Sequence, residues 1–449
     1  MERHRMDKSG VPGVTFRSIG CRTNQEEMAA LAAVLVEEGY RLVEHTAEAQ
    51  IIIVNTCSVT AATESKTRRY LRSLAANAPH ARICATGCLA QQDPSALSGI
   101  KGITWVVGNT FKKDIGNILR TFSGGVHAGH FEAEKALHLD MSDAVVPPPG
   151  APGWHRTRFS VKIQEGCNFH CAYCIVPQLR GPSRSARTTA VVDVCREAIL
   201  AGYKELVLTG THIGQFDDRA HGGLPELLDR LAAIEGDYRI RLSSLDPRDC
   251  TDGLLSRIGA VDKICDHVHV SLQSLSPEVL TAMRRPVETT IACLDRLIGF
   301  RNSHPLAGIG ADIITGFPGE TDAHFEETRV ACDKIGLSYA HVFRYSPRPG
   351  TAAVSIKPVV PEVVKKQRSL VLRNMIQRSR RQFLKKVEPI AQRIIVESIL
   401  PVRGLTSNYI HVELPGEDAV CNTWMDVTIR STMQPGRTCP AQPVLRKVA

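Results

Sequence analysis

Three cysteines, Cys167, Cys171 and Cys174, stand in a C-x3-C-x2-C arrangement within Gly166–Arg187, GCNFHCAYCIVPQLRGPSRSAR. Cysteine thiolates are the ligands of iron–sulfur clusters, and three this close can hold three irons of a cubane [4Fe–4S] cluster. The fourth iron is then left without a protein ligand, and an open iron is where a small molecule can bind and receive an electron. The competing reading is a zinc knuckle, with His170 inside the triplet as a stray ligand. Zinc sites usually close with four ligands in two pairs, and no further Cys or His pair follows nearby at that spacing.

A second set of cysteines is spread over the N-terminal third: Cys21 in IGCRTNQ, Cys57 in VNTCSVT and Cys88 in ATGCLAQQ. Each follows a run that reads as a strand, Val14–Ile19, Ile51–Val54 and Arg82–Ala85, with a fourth at Thr104–Val107. The β-branched run at Ile51 suits a buried parallel strand. Asn24–Glu38 reads as a helix with Met28, Leu31 and Leu35 on one face. Such β/α alternation predicts a doubly wound domain, whose parallel strands bring their C-terminal ends to one edge. From spacing alone a second cluster on these cysteines is the weaker reading, and small buried hydrophobes the better one. Cys84 reads as a core residue on its strand.

The triplet must also be positioned by a strand. Phe159, Val161 and Ile163 alternate ahead of it, which places the cysteines in the loop at that strand's C-terminal end. Further strands are expected at Glu205–Thr209, Arg239–Ser243, His267–Leu272, Gly308–Thr315 and Tyr339–Arg344, with helical runs between them. About six β/α units predict a partial barrel with its site at the strand ends.

The triplet with Tyr173 before its last cysteine, followed by Ile175-Val176-Pro177, Arg180-Gly181 and Arg184-Ser185, resembles the radical S-adenosylmethionine (SAM) methylthiotransferases. Gly-Cys-x-x-Asn, Asn-Thr-Cys and Gly-Cys-x-Ala-Gln resemble the three cysteine motifs of that family's N-terminal domain. Phe343–Thr351, FRYSPRPGT, is similar to the end of its catalytic domain. The resemblance implies two [4Fe–4S] clusters, one on Cys167, Cys171 and Cys174 and an auxiliary one on Cys21, Cys57 and Cys88. It also implies SAM contacts at Tyr173, Gly210, Ser244, Asp246 and Gln273, with His212 as a residue of the barrel mouth. In the family, SAM is cleaved by one electron to methionine and a 5′-deoxyadenosyl radical, and the electron comes from a donor such as flavodoxin or ferredoxin. Asn55–Thr60 and Arg68-Arg69 are closest to the branch acting on threonylcarbamoyladenosine in the tRNA anticodon stem-loop. Thr23 and Gln178-Leu179 depart from the usual pattern. The same chemistry on isopentenyladenosine or on a ribosomal-protein aspartate, and a non-catalytic iron–sulfur RNA-binding or redox-sensing protein, are the alternatives.

Composition fits this frame. The chain has 449 residues, 43% hydrophobic and 22% charged, which calls for two or three domains. Its longest apolar run, Met28–Val36, has nine residues, against the roughly 18 a membrane span needs. The polar start, MERHRMDKSG, has no apolar core of a signal peptide, so a cytoplasmic protein away from membranes is expected. A net charge of +9 suits an acidic partner such as RNA. Four segments are expected: 12–122 with the auxiliary cysteines, a Gly/His/Pro-rich linker at 123–156, the barrel with a basic helix at 157–388, and a small β-barrel at 389–449. That helix, Pro361–Glu388, carries nine Lys/Arg against two Glu. A charge run is usually a solvated face, but a single-signed one is also what phosphate contact needs. The last segment has short strands at Arg393–Ser398, Tyr409–Val412, Trp424–Ile429 and Pro443–Leu445, and resembles the family's RNA-binding TRAM domain. The fold class expected is therefore α/β, with a doubly wound domain, a partial (β/α)6 barrel and a TRAM-like β-barrel.

Overall fold

The computed structural model describes residues 11–20, 22–58, 60–120, 124–129, 138–139, 146, 149, 157–414, 419–430 and 438–443. Cys21 and most of the expected linker lie outside the described residues. The chain divides into two compact units. The first holds residues 1–155, 164–169 and 175–194, and the second 156–163, 170–174 and 195–449.

In the first unit, β1 (Gly13–Ser18), β2 (Arg41–Leu42), β3 (Ile51–Thr56), β4 (Arg82–Gly87), β5 (Ile103–Val107) and β6 (Gly125–His127) form a parallel sheet ordered β2-β1-β3-β4-β5-β6. Apolar residues on both faces explain the two cores. Ile52, Val54, Ile83 and Ala85 pack with Leu71, Leu74, Leu89 and Leu97 of α2 (Ala61–Asn77), α3 (Cys88–Gln92) and α4 (Pro94–Ser98). On the other face, Val14, Ile51, Ile53, Cys84 and Trp105 meet Met28, Leu31 and Leu35 of α1 (Arg22–Glu37) and Ile115, Ile118 and Leu119 of α5 (Ile115–Arg120). This is the doubly wound layout that continuous β-branched strands require. A two-residue strand, β7 (His138–Leu139), falls within the expected linker. The unit also takes in the end of β8 (Arg158–Glu165), where Gln164 and Glu165 pair antiparallel with β9 (Arg184–Ala186), and the short helix α6 (Val176–Arg180) between them.

Helix α7 (Thr188–Leu200) carries the chain onward. In the second unit, β10 (Glu205–Gly210) lies between β8 and β13 (Arg239–Leu242). A two-strand ribbon, β11 (Asp217–Asp218) and β12 (Gly222–Gly223), precedes α8 (Leu224–Ala232). β14 (His267–Gln273), β15 (Gly308–Thr315) and β16 (Tyr339–Arg344) are parallel neighbours. Parallel bridges Ile240↔Ile264 and Leu245↔Val270 continue the wall from β13 to β14. With α9 (Asp252–Ala260), α10 (Pro277–Ala282), α11 (Val287–Ser303) and α12 (Asp322–Ile335) between the strands, this is an open six-strand β/α barrel. The six strands expected for this barrel match to within two residues at each end, whereas the strand expected at Pro443–Leu445 falls, past Pro443, outside the described residues.

The 26-residue α13 (Glu362–Val387) is the expected basic helix, but its charges do not form one solvated face. Arg368 is buried and pairs with Glu320 at 2.6 Å and Asp322 at 2.7 Å. Lys365 is buried too, its Nζ donating to Tyr345 O at 3.3 Å. Arg373 and Arg380 donate to the backbone carbonyls of Val342 and Ser338. The exposed cations are Lys366, Arg373, Arg378, Arg381, Lys385 and Lys386.

The chain ends in a closed five-strand barrel, β17 (Gln392–Ile399), β18 (Val402–Thr406), β19 (His411–Leu414), β20 (Trp424–Ile429) and β21 (Cys439–Pro443), ordered β17-β18-β19-β21-β20. β18 is not among the expected strands, because Gly404 and flanking Pro401 break its alternation. Phe383, Leu384 and Val387 of α13 close the core of this barrel. The β18–β19 turn docks at the N-terminal ends of β10 and β13. There the fully buried Arg241 donates to Thr406 O and Ser407 O at 2.9 Å each, and Arg239 to Leu405 O at 2.8 Å. Glu205 lies between the two guanidinium groups, accepting from Arg239 Nε at 2.6 Å and Arg241 Nε at 2.7 Å. Burial alone would raise the Glu205 pKa, but the two arginines outweigh it and hold the carboxyl well below its ordinary range.

Candidate active site

The N-terminal motifs meet at one sheet edge. Register pairs Ser18 with Asn55, Asn55 with Thr86 and Thr56 with Gly87, so β1, β3 and β4 end together. Cys57 follows β3 and is buried; Cys88 opens α3 and is half-buried. Gly20, at φ +115°, lies against the first of these: a Cβ there would fall 2.4 Å from Cys57 Cβ. Gly87, at φ +97°, leaves no room for one either, with Asn55 Oδ1 at 2.1 Å and Thr56 O at 2.5 Å from the position. Both glycines are required by left-handed backbone and by close approach.

The other motif letters form a hydrogen-bonded frame. Asn24 Nδ2 donates to Ile19 O at 3.1 Å and Thr56 O at 3.0 Å. Asn55 Nδ2 donates to Asn24 O at 2.8 Å and Glu27 Oε2 at 3.1 Å. Thr56 Oγ1 donates to Thr86 O at 2.5 Å and accepts from Ala90 N at 3.2 Å. Asn109 directs its amide to Cys88 Sγ at 3.8 Å and to Leu179 O at 3.0 Å. Cys84 is fully buried in the core, where burial pushes its thiol up to about 12, so it stays protonated and a poor ligand.

In the same unit Arg180 is buried among acceptors. Its Nη1 donates to Glu27 Oε1 at 2.6 Å and Glu165 Oε1 at 2.8 Å, and its Nη2 to Asn24 Oδ1 at 2.8 Å. Lys112 Nζ adds a bond of 2.5 Å to Glu27 Oε2. In the sequence Arg180 stands out only through the family resemblance. Glu27 does not stand out at all, because nothing local distinguishes an acidic residue on an amphipathic helix.

The triplet loop follows β8, as expected. Cys167, Cys171 and Cys174 are each half-buried thiols outside any disulfide, and the Phe169 N–H points at Cys167 Sγ from 3.4 Å. Accessible sulfurs with a nearby backbone donor are the donor set a [4Fe–4S] cluster takes, so the residues fit that group. In the second unit the loop is fixed by Ala172, whose N–H donates to Met283 O at 2.9 Å and whose carbonyl accepts from Ala353 N at 2.8 Å.

The residues expected around SAM lie at strand ends. Gly210 ends β10, Ser244 and Asp246 follow β13, and Gln273 ends β14 at φ +66°, a left-handed conformation uncommon for a side chain of that size. Arg285 joins two of them, donating to Tyr173 Oη at 3.3 Å and pairing with Asp246 Oδ2 at 2.9 Å. Burial pushes the Tyr173 hydroxyl far up, and Arg285 offsets only part of that, so it remains a neutral phenol. Asp246 also binds Arg248 Nε at 2.8 Å. His212 sits beside Asp249, 2.9 Å from its Oδ2. Ser244 Oγ is 2.9 Å from His269 Nδ1, a partner for which the sequence holds no signal.

The inward face of β14–β16 is unusually polar. His267, His269 and Ser271 alternate along β14 with the buried Val268, Val270 and Leu272. His269, Asp312 and His341 each present a ligand atom within 4.8 Å of the other two. Burial raises the Asp312 carboxyl to about 6.

Comparison with known proteins accords with this geometry. Residues 13–108 match uncharacterized protein family UPF0004, and residues 161–331 match the radical SAM superfamily. The chain is 35% identical over 408 residues to the threonylcarbamoyladenosine tRNA methylthiotransferase MtaB of Aquifex aeolicus, covering 90% of this chain and 97% of that one. It is 32% identical over 408 residues to the tRNA-2-methylthio-N(6)-dimethylallyladenosine synthase of Opitutus terrae, covering 82% and 83%. Among solved structures, the radical SAM methyltransferase TsrM of Kitasatospora setae shares the fold, with a TM-score of 0.56 at 15% identity over 75% of this chain and 77% of that one. Fold and triplet loop together define a radical SAM enzyme, which uses SAM and a [4Fe–4S] cluster. More narrowly, the chain belongs to the radical SAM methylthiotransferase family. Among the described residues no helix is long and apolar enough to cross a membrane.

Proposed function

We propose that this enzyme converts N6-threonylcarbamoyladenosine, next to the tRNA anticodon at position 37, to its 2-methylthio derivative. The observation that carries this is the 35% identity to an MtaB enzyme across 90% of the chain, with all six motif cysteines present in the sequence. The acceptor base lies in a single-stranded loop, so it can turn into the barrel mouth without breaking a duplex. An enzyme of this kind works in the cytoplasm.

Cys167, Cys171 and Cys174 would hold the cluster that binds SAM, and Cys57 and Cys88 with Cys21 an auxiliary one. When bound, the first supplies the electron for reductive cleavage of SAM and the second the place from which sulfur is delivered. Net, C2–H of the base becomes C2–SCH3. The hydrogen leaves on the 5′-deoxyadenosyl group of one SAM, and the methyl comes from a second. A low-potential donor such as flavodoxin or ferredoxin supplies the electrons. The chain's own part is positional. The Asn24, Asn55 and Thr56 frame fixes the strand ends beside Cys57 and Cys88. Arg285 holds Tyr173 and Asp246, and the strand-end residues Gly210, Ser244 and Gln273 offer polar contacts to SAM.

Mass spectrometry of digested tRNA nucleosides from cells with and without the gene tests the reading. Loss of the 2-methylthio threonylcarbamoyl nucleoside alone, with its precursor accumulating, is expected. Loss of the isopentenyl counterpart instead would move the substrate, and no change would remove tRNA as acceptor. In vitro, Cys171→Ala is expected to abolish SAM cleavage. Cys57→Ala is expected to retain cleavage and lose transfer; retained transfer would refute the auxiliary assignment.

A further inference from the structure

A column of rings climbs the inside of the second unit's barrel. It starts at Tyr409 in the β18–β19 turn, whose ring stacks on His267 at 4.5 Å and Tyr339 at 5.0 Å between centroids. Tyr339 stacks in turn on His269 at 5.5 Å, and its ring lies over Gly310, where a Cβ would fall 2.2 Å from the ring. His341 follows, 5.5 Å from His269, and then Phe343, 6.3 Å from His341. His267 and His269 are buried and Tyr339 and Tyr409 half-buried, whereas His341 and Phe343 are exposed. A molecule entering from the strands' C-terminal ends therefore meets Phe343 and then His341.

Polar groups back His341 rather than packing. Asp312 lies opposite it in the β15–β16 register, with its carboxylate oxygens and the His269 and His341 ring nitrogens within 4.8 Å of one another. Asp312 Oδ1 is 3.5 Å from His269 Nε2, and its Oδ2 accepts from Ser271 Oγ at 3.2 Å. Ser244 fixes the other side of the His269 ring at Nδ1. Two imidazoles around one carboxylate, with one serine on that carboxylate and another on the His269 ring, make a polar wall that runs from the buried His269 to the exposed His341. Such a wall penalises a hydrocarbon, which would desolvate it without returning a hydrogen bond. It suits an arm that carries a carboxylate and a hydroxyl.

We propose that His341, beside Asp312 and His269, is the specificity-determining residue that grips the carboxylate-bearing arm of the substrate nucleoside, with Phe343 as the stacking face for its base. This rests on the threonylcarbamoyl reading above. His341 donates a ring N–H to the arm; Asp312 and His269 set the ring's orientation and are positioning residues.

The test uses anaerobically reconstituted full-length enzyme and anticodon stem-loops bearing threonylcarbamoyladenosine, its uncharged carboxamide, or isopentenyladenosine. Wild type, His341→Phe and His341→Gln are compared for stem-loop Kd by anisotropy and for KM and kcat of transfer. Wild type is expected to prefer carboxylate over carboxamide by roughly 10- to 100-fold, mainly in Kd and KM, the size of one charge-assisted hydrogen bond. His341→Phe should erase that preference and His341→Gln keep part of it. A His341→Phe enzyme that discriminates like wild type overturns the proposal while leaving the function intact. Transfer by wild type to the isopentenyl stem-loop alone overturns the function instead. Iron content and SAM binding equal to wild type qualify each variant. Should His341→Phe fail that check, unchanged discrimination by His341→Ala overturns the proposal equally.

Discussion

The Arg180 guanidinium and the Glu27 carboxylate meet at 2.6 Å, both buried, although 153 residues separate them in the chain. Glu27 stands on α1 just after the first cysteine motif, and Arg180 on α6 just after the triplet. The pair ties these two stretches to Glu165, immediately before the triplet, at 2.8 Å. Removing one member of a buried pair strands the other charge at a cost of about 3–5 kcal/mol. Arg180→Ala is therefore expected to lower the urea midpoint and to cut methylthio transfer more than SAM cleavage. Arg180→Lys keeps the charge but not the fork that reaches Asn24, Glu27 and Glu165, and should fall between. Equal loss of transfer and cleavage would show that Arg180 only stabilises the fold.

Gly87→Ala places a Cβ 2.5 Å from a backbone oxygen, at a φ that alanine avoids. The strain is expected to cost about 1–3 kcal/mol and to displace Cys88. If Cys57 and Cys88 help hold the proposed second cluster, iron analysis after reconstitution should show that share missing and the share held by the triplet retained.

Glu205 supplies a pH signature. Its pKa is depressed from an ordinary 4.5, so its stabilisation is present above that value and is lost as pH falls through the folded-state pKa, which lies lower. The stability gap between wild type and Glu205→Gln is expected to be flat from pH 8 to about 5 and to close only below the unfolded pKa. Denaturant midpoints across that range check it. A gap that closes near neutrality would mean the carboxylate is not held by Arg239 and Arg241.

On α13, cations that hold the barrel and cations that face solvent can be separated. Changing Arg378, Arg381, Lys385 and Lys386 to Gln is expected to weaken tRNA binding. The salt slope should fall by up to about one for each phosphate the helix no longer neutralises. Arg368→Ala should lower stability through Glu320 and Asp322 instead. An unchanged salt slope in the fourfold variant would make that surface a merely solvated one.

Strands and helices are legible in the sequence because Ile51–Val54 or Glu205–Thr209 are apolar runs whose length and flanks admit one structure. The cysteine loops are legible because chemistry fixes their spacing. Asn24, Asn55 and Thr56 appear only as motif letters, since their work is to bond across strand ends that lie 30 residues apart in sequence. Arg285, Asp312 and His341 escape notice for the same reason: each acquires meaning from a neighbouring strand or loop. The basic helix misleads because a charge count cannot tell Arg368, which points inward, from Lys386, which does not.

The turn around Tyr409 has a consequence for recombination. It carries the base of the ring column, accepts from Arg241 through Thr406 and Ser407, and holds Tyr409 at φ +66°. The C-terminal barrel therefore cannot be exchanged as a cassette. A chimera with a relative's last segment, joined at residue 389 so that the closed barrel stays whole, is expected to fold only if the incoming turn keeps its contacts with Arg239, Arg241 and His267.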